Sequence, residues 1–204
     1  MNMEIKDNRF GQPLRYYSAL LAQMDPVSVT NRTGIPYADG IFRTTLMGRE
    51  AALAWPSGEA TWTGSGDPLR PNAAILLLRL LTGGTLAPAT GKLLSYAEFP
   101  WGETYLTQFR GRCISRLAFS FGNAPEKFAE ACRSLGGTAV DGSGICYDIP
   151  FLPELTVRLT VWPAEEDFPP SAQFLFSSNF SLAFSAEDLA YCGDVLLDAM
   201  KGRF

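Results

Sequence analysis

Apolar and polar positions alternate most regularly between residues 155 and 176. Every second side chain from Leu155 to Val161 is apolar, and Arg158 is one of the polar residues between them. Ala172, Phe174 and Phe176 repeat this alternation. A period of two is typical of a strand with one buried face. The pattern predicts two strands, joined by the segment between Trp162 and Ser171.

Three shorter strands are predicted in the first third of the chain, at Ile41–Met47, Glu50–Trp55 and Glu59–Thr63. The residues between them are few and include Gly, Pro and Ser, which is typical of hairpin turns. These segments predict an antiparallel meander.

Apolar residues at helical spacing predict helices over 13–24 and 113–121, and around 128–135 and 189–200. Residues 69–81 are apolar on nearly every face, which is typical of a helix buried by other elements. Asp67-Pro68 resembles an N-cap followed by proline at the first helical position, so we expect that helix to begin there. The pattern contains no internal repeat or linker. We therefore predict a single α+β domain over 1–204, in which a mixed or antiparallel sheet packs against several helices and helix 13–24 forms an extension.

The composition narrows the possible functions. Hydrophobic residues make up 47% of the 204 residues and charged residues 19%, a globular balance. The net charge is -4, and no run of Lys and Arg exceeds two residues, so we expect no nucleic-acid partner. The N-terminus is polar, and the longest apolar run, Ala73–Leu78, is far too short for a membrane span. We expect a cytoplasmic protein with no membrane partner.

The chain contains no histidine, which excludes Ser-His-Asp triads, Cys-His pairs and every histidine-based metal site. Its four cysteines are dispersed and form no C-x-x-C pair. Zinc ribbons and iron–sulfur clusters require close pairs of thiolates, so we expect buried free thiols, no metal and no cofactor.

The string from Val161 to Leu189, VWPAEEDFPPSAQFLFSSNFSLAFSAEDL, resembles a domain of unknown function found mainly in anaerobic prokaryotes. Its signature combines a strand-terminal Trp, an acidic run, Phe-Pro-Pro-Ser and a Glu-Asp-Leu helix start. Weaker matches extend the resemblance from about Glu50 to the C-terminus. The resemblance implies an accessory role in anaerobic metabolism, because some members look fused to iron–sulfur modules or lie near corrinoid metabolism. Ser177 and Leu182 depart from the family's usual Asp and His, which implies that a family ligand site here would be altered.

Two acidic segments each permit two interpretations. Glu165-Glu166-Asp167 could bind a hard cation or supply a base, or could be a solvated loop. Glu187 and Asp188 could be a catalytic pair. However, Ser185-Ala-Glu-Asp188 has the form of a capping box, which is the interpretation that we favour.

A ligand site is predicted where the strand ending at Trp162 continues into the acidic loop. A rigid strand positions functional side chains precisely at the point where a loop leaves the sheet. The candidate ligand-binding residues are Arg158, Trp162, Glu166, Asp167, Ser171 and Glu187.

Three functional hypotheses follow. The first is a non-enzymatic module that binds a small molecule or a protein partner. The second is a small hydrolase or lyase that uses Glu166, Asp167, Glu187 and Asp188. The third is a homo-oligomeric scaffold, such as a homodimer, built on the turn-proximal Trp55, Trp62 and Trp101.

Overall fold

A computed structural model describes residues 9–203. Within this range the chain forms two compact units. One comprises residues up to 44 together with 50–85, and the other comprises 45–49 together with residues from 86 onwards.

The first unit contains three helices and a four-stranded sheet. The helices are α1 (Gly11–Leu21), α2 (Pro26–Thr33) and α3 (Pro71–Gly83). The strands are β1 (Tyr37–Ala38), β2 (Ile41–Leu46), β3 (Arg49–Ala54) and β4 (Ala60–Trp62), adjacent in that order. Residues 45–49, which include the turn between β2 and β3, group with the second unit. The predicted meander is confirmed. The predicted helix 13–24 instead ends at Leu21, and Asp25 caps a separate helix by accepting from Ser28 N at 3.0 Å.

Helix α3 is the core element of the first unit. Eight of its residues between Ala73 and Leu81 are buried, as its apolar sequence predicts. The predicted start at Asp67-Pro68 is wrong, because the segment before α3 continues the pairing of the sheet. The Asp67 carbonyl accepts from Trp62 N and Leu69 N donates to the Ala60 carbonyl, both at 2.9 Å, so the helix begins only at Pro71.

The second unit is built on a five-stranded antiparallel sheet. Its strands are β5 (Leu93–Ser95), β6 (Thr138–Val140), β7 (Ile145–Leu152), β8 (Leu155–Trp162) and β9 (Ser171–Ser177), in the spatial order β5-β9-β8-β7-β6. The alternating strand predicted from 155 is confirmed as β8, with Val157, Leu159 and Val161 fully buried. Phe174 and Phe176 of β9 are buried in the same core.

Helices cover the buried face of this sheet. After a single 3₁₀ turn (Tyr96–Glu98), one long helical segment comprises α4 (Gly102–Phe109), a π-helical turn (Arg110–Ile114) and α5 (Ser115–Phe121). The remaining helices are α6 (Pro125–Ser134), α7 (Phe180–Ala183) and α8 (Ala186–Met200). The predicted helix at 113–121 is therefore the second half of a longer segment, whereas α6 and α8 match the prediction.

The α+β class predicted from the sequence is confirmed, with two antiparallel sheets where the pattern predicts one. The domain limits of 1 and 204 stay a prediction. Among the helices of residues 9–203, none combines the length and the apolar character that crossing a bilayer requires.

Candidate functional site

A groove of about 420 Å³ lies in the second unit, between the helical segment 102–121 and the end of the sheet where β8 finishes and β9 begins. Its lining is mostly apolar, with a few polar side chains among aromatic ones. It consists of Ser95, Tyr96, Ala97, Leu106, Phe109, Arg110, Ile114, Ser115, Trp162, Ala172, Gln173 and Phe174. We call this site the groove.

The floor of the groove is a stacked aromatic pair. Tyr96 lies parallel to Phe109, with ring centroids 4.0 Å apart and an interplanar angle of 5°. The Tyr96 hydroxyl donates to the Ala186 carbonyl at 2.8 Å. Burial raises the pKa of Tyr96 to about 12, so the phenol keeps its proton, and this hydrogen bond to the start of α8, well into the alkaline range.

Tyr96 is placed by a local capping box. The Glu98 carboxylate accepts from Ser95 N at 2.7 Å and from Ser95 Oγ at 2.8 Å. The carboxylate thereby satisfies the backbone donor of Ser95 at the start of the 3₁₀ turn. It therefore fixes the direction in which the chain leaves β5 and brings Tyr96 onto the sheet.

The π-helical turn Arg110–Ile114 forms one wall. Such turns contain one residue more than an α-helical turn and occur often at functional sites. Cys113 within the turn points into the core, where its Sγ lies 3.7 Å from the Ala190 carbonyl, and burial raises the pKa of this thiol to about 12. Arg110 and Ile114, by contrast, line the groove.

Trp162 forms the opposite wall at the end of β8. Its indole N–H donates to the Ser143 carbonyl at 3.1 Å, in the turn between β6 and β7. A Cβ atom at Gly144 would approach the indole to 2.9 Å, so only glycine leaves room for the ring there. The turn between β6 and β7 thus positions Trp162 as well as reversing the chain.

Arg110 is the single charged residue among those that line the groove. Its side chain is exposed, and within residues 9–203 it has no ion-pair partner. The lining includes no Asp or Glu. The groove therefore combines an apolar interior with one positive charge.

Of the six candidate ligand-binding residues, Trp162 lines the groove. Arg158 pairs instead with Asp148, its partner across β7 and β8, through Nε–Oδ1 at 2.6 Å and Nη2–Oδ2 at 2.8 Å. This bidentate hydrogen bonding raises the pKa of Arg158. The guanidinium is therefore paired with Asp148 on the sheet surface and does not line the groove.

The acidic loop is a tight, exposed turn. Glu165 and Phe168 exchange two backbone hydrogen bonds of 3.0 and 3.1 Å, and Glu166 and Asp167 occupy the tip between them. Both tip residues are exposed, and neither lines the groove. Ser171 is exposed and lies opposite Trp162 in the β8–β9 register. We call residues 165–168 the acidic turn.

Glu187 is exposed in the first turn of α8 and does not line the groove. The capping box predicted beside it is confirmed. Ser185 Oγ accepts from Asp188 N at 3.3 Å, and the Asp188 carboxylate accepts from Ser185 N at 3.0 Å. The structure thus gives Asp188 a capping role and leaves Glu187 on the surface.

Residues 9–203 contain no cluster of three or more His, Cys, Asp or Glu side chains suited to a metal ion. All four cysteines are buried and free. Burial raises the pKa of Cys132 to about 12 and that of Cys192 well above its usual value, so neither is an activated thiolate.

Most residues of the groove have no signature in the sequence. Arg110, Tyr96 and Gln173 carry no motif, and they come from three separate segments of the chain. The end of the alternating strand at Trp162 is the sequence signal for one wall. The helical wall has no such signal, because the predicted helix begins only at Cys113.

The family model described as Domain of unknown function (DUF3786) matches residues 25–199. No curated protein and no solved structure is significantly similar to the chain. Because the match covers most of the sequence, the chain belongs to this family.

Proposed function

We propose that this family member is a non-enzymatic module that binds a small molecule in the groove. The observation that carries the proposal is the lining itself: an aromatic floor and walls with few polar groups. Small-molecule sites in proteins are typically concave and apolar, with a few polar groups that fix orientation, and they measure about 300–1,000 Å³. The groove of about 420 Å³ falls within that range.

The chemistry of the lining favours binding over hydrolysis. General acid–base catalysis needs a group that exchanges a proton near the working pH. The Tyr96 phenol has a pKa of about 12 and is engaged with Ala186, and no carboxylate lines the groove. The carboxylates of the hydrolase hypothesis lie on the acidic turn and at the start of α8, outside the groove.

The proposal includes a cytoplasmic, accessory role in the metabolism of an anaerobe. The resemblance of the Trp162–Ser171 string to a family found mainly in anaerobic prokaryotes supports the anaerobic role. The free state of all four cysteines also supports a reducing compartment.

A substitution that fills the groove tests the proposal. Ala172 lines the groove on the same face of β9 as Phe174, so Ala172→Phe should occupy the ligand's volume. We expect compounds that raise the melting temperature of the wild type in a thermal-shift screen to lose that effect in this variant. The matched control is Ala139→Phe, at an exposed position on strand β6 of the same sheet. Hits that stabilise Ala172→Phe as strongly as the control variant would contradict binding in the groove.

A further inference from the structure

We infer that the ligand is a small organic anion with a planar, apolar body, and that Arg110 pairs with its carboxylate. This inference rests on the proposed function and adds the chemical class that the groove selects. It depends on the charge state of three arginines, on the shape of the walls and on the absence of a competing acid from the lining.

Three arginines lie within seven residues of the helical segment, and the structure neutralises two of them. Arg112 donates to the Asp194 carboxylate. Arg116 pairs with the same carboxylate at 2.7 Å and with Asp198 at 3.2 Å. Both acids belong to α8, so these arginines fasten the π-helical turn and α5 to that helix.

Arg110, the third arginine, takes part in none of these ion pairs. Within the described chain it has no carboxylate partner, and it lines the groove. A guanidinium presents a planar fork of donors that matches a carboxylate in a bidentate geometry. The groove thus offers one strong site for an anion and none of equal strength for a cation.

The walls select the rest of the ligand. Trp162 is the partly exposed aromatic side chain of the lining, whereas Tyr96, Phe109 and Phe174 are each at most 2% exposed and form the packed base beneath it. Aromatic surfaces favour stacked or edge-to-face contact with a flat ring. A volume of about 420 Å³ is near the lower end for ligand sites, which suits a one- or two-ring body rather than a nucleotide cofactor.

Glu98, the carboxylate that holds Ser95, does not oppose an anion in the groove. Glu98 is not a lining residue, and its carboxylate is engaged by Ser95 N and Oγ. These hydrogen bonds lower the pKa of Glu98, so its charge is constant at neutral pH. The positive charge of Arg110 therefore dominates the lining.

A matched pair of probes tests the inference on the full chain. 2-Naphthoate and 2-naphthamide have nearly the same shape, but only the first carries a negative charge at neutral pH. We expect the wild type to bind naphthoate about tenfold more tightly than naphthamide by isothermal titration calorimetry, the gain typical of a hydrogen bond to a charged group. Arg110→Gln should remove this preference, because it weakens naphthoate binding by about tenfold and naphthamide binding by much less. Arg110→Lys should retain part of it, because the charge remains but the fork is lost.

Arg43→Gln is the control for charge, because Arg43 is exposed on β2 and does not line the groove. It should bind both probes as the wild type does. Arg110→Gln removes no ion pair or side-chain hydrogen bond within the described chain, so its unfolding midpoint should equal that of the wild type.

Each alternative outcome is decisive. Equal affinity for the two probes, in wild type and Arg110→Gln alike, with both lost in Ala172→Phe, would overturn the anion inference and leave the proposed function standing. Failure of the wild type to bind either probe, or binding that Ala172→Phe does not weaken, would overturn both.

Discussion

The acidic turn and the groove begin at the same strand end and differ in almost every physical property. The turn has three consecutive carboxylates on exposed backbone, closed by two hydrogen bonds between Glu165 and Phe168. The groove has one charged residue above a floor of buried rings. Clustered charge makes the turn conspicuous in the sequence, whereas the groove has no sequence signature.

The better candidate site is therefore distinguished by its apolar, concave lining rather than by its density of charged side chains. Water screens the carboxylates of an exposed turn, and exposed ion pairs contribute only about 0–1 kcal/mol. Arg110 is also exposed, but a ligand bound beside it in the apolar groove displaces part of the surrounding water, which strengthens the pairing. Substitutions in the two regions should therefore differ in their effects on stability and on binding.

The largest expected effect is the difference in lost unfolding free energy between Phe109→Ala and Phe168→Ala. Phe109 is fully buried, stacks on Tyr96 and packs edge-on against Phe174 at 5.7 Å. Its truncation should cost about 3–5 kcal/mol of unfolding free energy, because it leaves a cavity under the groove. Phe168 is 68% exposed in the acidic turn, so its truncation should stay within about 0.5 kcal/mol. Urea denaturation of both variants measures the difference, and similar losses would contradict the contrast.

A second prediction concerns alkaline pH. Burial raises the pKa of Cys113 from an ordinary value of 9.0 to about 12, and that of Tyr96 from 10.0 to about 12. The unfolded chain therefore releases these protons at lower pH than the folded chain. Folding stability is fully present below pH 9 and falls as the pH rises from 9 to 12.

The expected slope is up to about 1.4 kcal/mol per pH unit for each buried group while only its unfolded form is ionised. Denaturation midpoints measured at several values from pH 8 to 11 give this dependence of stability on pH. The control is Cys113→Ala, which should have a shallower slope than the wild type, whereas Glu166→Ala should leave the slope unchanged. Equal slopes in Cys113→Ala and the wild type would contradict the assignment to this thiol.

The smallest expected effect belongs to the double substitution Glu166→Ala, Asp167→Ala. Both side chains are exposed and outside the groove, so stability should change by no more than about 0.5 kcal/mol. The affinity for 2-naphthoate should equal that of the wild type in the same calorimetric assay. A clear loss of affinity would return the ligand site to the acidic turn, where the sequence first suggested it.

Local patterns were sufficient for most of the secondary structure. The alternation from Leu155 identified β8, and the capping box at Ser185 identified the start of α8, because both signals act over a few residues. The start of α3 was predicted too early, because Asp67 and Leu69 hydrogen bond to β4 instead of capping the helix. This pairing with β4 is a tertiary interaction, and it outweighs the local N-cap signal of Asp67-Pro68.

The α+β class, the buried character of α3 and the capping role of Asp188 all follow from periodicity or from contacts within a few residues, so the sequence alone predicts them. Which charges remain available depends on the tertiary structure. Arg110 and Arg112 are two residues apart, and nothing in the local sequence distinguishes them. The carboxylate that neutralises Arg112 belongs to Asp194, 82 positions along the chain. Folding brings that acid to one arginine and leaves the other facing the groove, because ion pairing depends on distance in space rather than along the sequence.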